Sequence, residues 1–135
     1  MSRMYRPKKR VIELARELQG DQSYCVASVI TDRQGKILSQ GQNSFIKTHP
    51  TQAMWAHLVE GKEKIYLHAE MEAIIKNDQA NRAHTIYVAR VGTRDGKIKL
   101  SRPCKTCSVA ILKATSIERV VYTTDNGDFN EYRVR

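Results

Sequence analysis

The chain has 135 residues, 41% of them hydrophobic, which fits one domain spanning residues 1–135 with a single core and no linker. Lys and Arg outnumber Asp and Glu by 23 to 14, and the net charge of +9 favours anionic partners: nucleotides, nucleic acid or an acidic surface. Three cysteines, two of them spaced Cys-x-x-Cys, do not make an even disulfide framework and read as metal or redox chemistry. Residues 1–10 are basic and have no apolar run, so they do not read as a secretory leader. No stretch is long and apolar enough to span a bilayer; the expectations are a cytoplasmic location and no membrane partner.

Residues 6–18 repeat apolar side chains at helical spacing: Val11, Leu14, Ala15 and Leu18 share a face. Pro7 suits the first turn of that helix and Gly20 the position just past its end. Residues 24–31 form a nearly continuous apolar run, as in a strand covered on both faces. Asp32-Arg33-Gln34-Gly35 turns the chain, and residues 36–41 return as the second arm of a hairpin. Cys25 in the first strand reads as a small buried hydrophobe. Asn43 follows the second strand directly. Residues 43–64 read as a rim segment, with a short helix over 52–59 ended by Gly61. His49 and His57 in it read as exposed or hydrogen-bonded histidines, since no cysteine or carboxylate cluster lies near them.

A second strong helix is expected over residues 66–77, with His68 and Glu70 in its first turn. A strand over 85–91, a loop, a short return at 97–100, a helix opened by Pro103 and a strand over 117–123 follow. Asp125-Asn126-Gly127-Asp128 then leads into a last strand over 129–134. So short a turn requires an antiparallel hairpin, because a parallel crossover needs a dozen residues or more. This order predicts a three-layer α/β/α sandwich with a five-stranded mixed sheet.

Two runs carry the chemistry: His68-Ala69-Glu70 and Pro103-Cys104-Lys105-Thr106-Cys107. Cys104 and Cys107 are three apart at a helix start, so their sulfurs share one side. The exposed N–H groups and dipole of a helix start favour thiolates. A second helix start bearing His68 can complete a three-ligand zinc site that keeps one position open for water. Zinc lowers the pKa of that water toward neutrality and makes a hydroxide nucleophile. Glu70, close by and not needed as a ligand, can move the proton to a ring nitrogen and then to a departing amine. H-x-E followed by P-C-x-x-C is the pattern of zinc deaminases, which attack C4 of cytosine or C6 of adenine.

The paired motifs resemble the zinc-binding region of the cytidine and deoxycytidylate deaminase superfamily, and the element order resembles its fold from Val11 to Val134. The resemblance implies one zinc per chain on His68, Cys104 and Cys107, Glu70 as proton shuttle, and a homo-oligomer. It also implies that Asn43, in Gly41-Gln42-Asn43, holds the substrate sugar and that Ala69 lies against the substrate. His68 resembles the deoxycytidylate and nucleic-acid branches, whereas the closing hairpin resembles the free-nucleoside branch and a set of toxin-like nucleic-acid deaminases. Size and pattern resemble the small deaminases encoded by bacteriophages.

Hydrolytic deamination of a cytosine nucleotide or nucleoside is therefore the expected function, with Arg102 and Lys105 nearest in sequence to meet a phosphate. One alternative is a deaminase of single-stranded DNA or RNA, with Trp55 and Tyr66 stacking bases and the basic N-terminus tracking the backbone. The other is a non-catalytic zinc module, for which Cys25 would have to serve as the fourth ligand.

Overall fold

In β3 (Thr85–Val91), alternate side chains divide between two cores: Tyr87, Ala89 and Val91 pack into one, Ile86 and Val88 into the other. The computed structural model describes residues 5–18, 25–44, 47–61 and 66–135. Gly20, Tyr24 and residues 1–4 of the basic N-terminus lie outside them. The first core is roofed by α1 (Tyr5–Glu17), which presents Val11, Leu14 and Ala15 to β1 (Cys25–Thr31) and β3. The second is roofed by α3 (Ala69–Lys76) and α4 (Lys105–Ala114), through Ala73 and Ile111. The result is a three-layer sandwich with helices on both faces of a mixed sheet.

The sheet runs β2-β1-β3-β5-β6, with β2 at Ile37–Gln42, β5 at Arg119–Thr123 and β6 at Phe129–Arg133. A sixth, two-residue strand, β4 (Ile98–Lys99), pairs with the end of β3. It corresponds to the short return expected at 97–100 and raises the strand count from five to six. β1 pairs antiparallel with both β2 and β3, β3 pairs parallel with β5, and β6 returns antiparallel on β5 as the short turn requires. The segment after β2 holds α2 (Pro50–Glu60), which is more than a rim: it buries Gln52 and Ala56 and packs beside α4.

Among the boundaries that differ from expectation, three have a clear local reason. α3 begins at Ala69 rather than 66, because residues 66–68 are drawn out into an extended ribbon. Tyr66 bridges Thr48, Leu67 N–H donates to the Lys47 carbonyl, and Ser44 N–H donates to the Leu67 carbonyl. α4 begins at Lys105, since Cys104 stays extended at φ −67°, ψ 169° and stands just outside the helix as its N-cap. β5 begins at Arg119, as the N–H groups of Glu118 and Arg119 both turn to the His84 carbonyl.

Two sets of contacts fix where the helices start. The Ser28 and Ser39 hydroxyls donate to the Ala69 and Ala73 carbonyls, each at 2.7 Å, and bolt α3 to β1 and β2. Gly41 permits that approach: a Cβ there would stand 2.3 Å from the Ala69 carbonyl oxygen and 2.7 Å from the Ala73 nitrogen. The Ser101 hydroxyl donates to the Val88 carbonyl and accepts from Thr123 N–H, both at 2.8 Å. That ties the approach to α4 to the ends of the parallel pair β3 and β5. At the far end of α4, the Arg135 guanidinium donates to the carbonyls of Ile111, Leu112, Thr115 and Ile117.

Candidate metal centre

His68 and Cys104 occupy the N-cap positions of α3 and α4, and neither side chain caps its own helix. Both turn instead toward a common point. His68 Nδ1 lies 3.7 Å from Cys104 Sγ and 3.5 Å from Cys107 Sγ, and all three donor atoms fall within 4.8 Å of one another. Cys107 sits one turn into α4 and is wholly buried, whereas Cys104 and His68 are half-buried.

These spacings fit zinc. Zn–N and Zn–S bonds of about 2.05 and 2.3 Å at a tetrahedral angle place nitrogen and sulfur about 3.5–3.6 Å apart. The set has the donors of a three-ligand site and one position to spare. It is the sole grouping of three or more such side chains among the described residues. Cys25, the fourth ligand that a purely structural site would require, lies in the α1-side core with Val11, Leu14 and Ala27, across the sheet from α3 and α4.

The two thiols are pushed in opposite directions. A hydrogen bond from the Cys107 thiol, aided by His68 and opposed by burial, holds Cys104 down at about 4. The same bond, with burial and the Glu70 carboxylate, pushes Cys107 up. Glu70, 5% exposed in the first turn of α3, is also pushed up, first by burial and then by the Cys104 charge, with His68 acting against both.

The remaining expected site residues are placed as follows. Ala69 is buried beside His68, its carbonyl held by Ser28. Asn43 directly follows β2; its N–H donates to the Val26 carbonyl and its Oδ1 accepts Val26 N–H at 2.9 Å. Lys105 is exposed at the first position of α4. Arg102 is exposed and lies over Tyr132 and Tyr122, 4.5 and 5.6 Å from the ring centroids. Trp55 packs against the Leu67, Met71 and Cys107 cluster rather than standing out as a stacking platform, and Tyr66 is 47% exposed. His49 caps α2 by accepting Thr51 N–H on Nδ1.

Sequence reasoning missed Gln52 and Glu60. Gln52 Oε1 accepts the backbone N–H of His68 at 3.1 Å, and Glu60 Oε1 accepts the Thr106 hydroxyl and N–H at 2.6 and 3.3 Å. Neither contact had a local signal, because the partners stand 16 and 46 residues away. Gly41 did carry one, as a glycine inside a strand marks a close backbone approach.

A family model of the cytidine and deoxycytidylate deaminase zinc-binding region matches residues 3–124. The chain belongs to this deaminase family. Among solved structures, the deaminase is similar to a cytidine deaminase from Burkholderia pseudomallei, with a TM-score of 0.55 and 18% identity over 93% of this chain and 91% of that one. It is also similar to RibD of Acinetobacter baumannii, with a TM-score of 0.51 and 22% identity over 91% of this chain and 28% of that one. At such identities the likeness is one of fold. No curated protein matches the deaminase sequence. Zinc is thus the metal that family and donor set both indicate, and no described helix of the deaminase is long and apolar enough to cross a membrane.

Proposed function

We propose that this deaminase hydrolyses the exocyclic amine of a cytosine nucleotide or nucleoside, releasing ammonia and leaving the uracil product. The observation that carries this reading is geometric: Glu70, a buried carboxyl in the first turn of α3, stands directly beside a His/Cys/Cys donor set of three ligands. Zinc on His68, Cys104 and Cys107 would supply the Lewis acidity that lets water lose a proton near neutral pH. Glu70 would accept that proton and pass it to N3 of the pyrimidine, then take the proton of the hydroxyl added at C4 and hand it to the amine as the C–N bond breaks and the carbonyl forms. Ala69 stands at the first position of α3, where helix N–H groups have no acceptor within the helix, and would face the base. Asn43, anchored through Oδ1 to Val26 N–H just after β2, would hold the sugar. Lys105 at the α4 start, with Arg102 beside it in sequence, would meet a phosphate.

A second reading, action on single-stranded DNA or RNA, is favoured by Tyr66, an exposed ring two residues from His68 on which a base can stack. A panel of cytidine, deoxycytidine, their monophosphates, adenine and guanine compounds, and single-stranded oligonucleotides separates the two. Ammonia release from a cytosine monomer is the expected result. Turnover of oligonucleotides with no monomer turned over would replace the first reading by the second.

A further inference from the structure

The two N-cap positions that carry metal ligands give up their ordinary work. An N-cap side chain normally accepts an N–H from the first turn, and a Glu or Gln at the third helical position reaches back to the N–H of the cap residue. His68 and Cys104 cannot do the first, because their side chains turn to the metal point. Met71, third in α3, cannot do the second. Both duties are met from α2. Gln52, in its first turn, takes the His68 N–H, and Glu60, its last residue, takes the Thr106 N–H and hydroxyl in the first turn of α4.

We propose that α2 is a positioning clamp for the metal centre, in which Gln52 sets the backbone of His68 and Glu60 sets the α4 turn between Cys104 and Cys107. Gln52 supports this by its own discomfort. It is wholly buried, and its Nε2 is the one buried side-chain polar atom without a partner among the described residues. Packing alone would favour an apolar residue there, since a buried donor without an acceptor destabilises the fold. The contact that Gln52 does make is to the ligand's own backbone. One rigid helix thereby joins two helix starts that are 36 residues apart in the chain.

The inference rests on zinc at His68, Cys104 and Cys107, so the test begins with the metal content of the wild-type protein. Gln52→Met and Glu60→Ala are then compared with wild type for the rate of zinc release into excess chelator. They are also compared for the visible spectrum of the cobalt-substituted protein, and for Tm with and without zinc. Outer contacts of this kind commonly govern metal affinity by about 10–100-fold, and faster release in that range, with an altered cobalt spectrum, is expected. If either variant fails to fold, Thr106→Val and Glu60→Gln keep the shape and are expected to move release several-fold in the same direction. Unchanged release and spectrum, with equal losses of Tm in the zinc-free and zinc-loaded forms, would make α2 a packing helix only and overturn the proposal. A wild-type chain that takes up no zinc would instead overturn the metal reading on which it rests.

Discussion

Cys25 and Cys107 are both wholly buried, one under α1 and the other across the sheet on α4, and the two faces treat the same side chain differently. Around Cys25 the cluster is Val11, Leu14, Ala15, Ala27, Val29 and their neighbours. Around Cys107 there is also an apolar cluster, with Leu67, Met71 and Ala110, but two helix starts open into it and bring His68, Cys104 and Glu70. Burial does not make a thiol a ligand. Converging donors are needed, and among the described residues they converge on one face only.

The strongest way to break this contrast is Cys107→Ala. Zinc content should fall to background by metal analysis and ammonia release should vanish; retained zinc would mean that the donor set is wrongly assigned. Glu70→Gln should keep the zinc and the fold while turnover drops by about 10²–10⁴-fold, the usual contribution of a general acid–base group. Full turnover in that variant would remove Glu70 from the proton path. On the other face, Leu14→Ala should cost about 2–5 kcal/mol in denaturant melts while the zinc bound per folded chain stays at the wild-type value. Cys25→Ala should cost only about 1 kcal/mol and likewise leave zinc in place; loss of the metal there would erase the distinction between the faces.

The smallest effect concerns His84, a histidine outside the metal centre, whose Nε2 lies 3.4 Å from Glu118 Oε2. Burial first, and then the Arg33 charge, hold its pKa below the ordinary 6.5, so the native state keeps it neutral. Below about pH 6.5 the unfolded chain takes up a proton that the native chain resists. Stability from this residue is therefore present above pH 6.5 and lost as pH falls through the native value. His84→Gln should flatten that part of a Tm-against-pH profile, and an unchanged acid slope would remove His84 as its source.

Much of the fold was legible because its signals are local. The 3.6-residue pattern of Val11, Leu14, Ala15 and Leu18 marks α1, and Asn126-Gly127 forces the closing hairpin. The grouping of His68, Cys104 and Cys107 was legible because each run carries its own spacing. What escaped depends on contacts across the chain. The start of α3 was misplaced because the pairing of Tyr66 with Thr48 cannot be read from helical periodicity. Gln52, in the expected short helix, and Glu60, just past its expected end, looked like ordinary polar positions until the fold set them against His68 and Thr106.

The helix that carries both metal-site cysteines has a carboxylate from Glu60 at its start and the Arg135 guanidinium at its end. Opposite charges thus sit against opposite poles of the α4 dipole, each contributing about 0.3–1 kcal/mol at low ionic strength. Dissolved salt weakens such interactions within a Debye length of about 10 Å at 0.1 M. Ionic strength therefore reaches the metal centre indirectly, by loosening the axial restraint on the helix that presents Cys104 and Cys107.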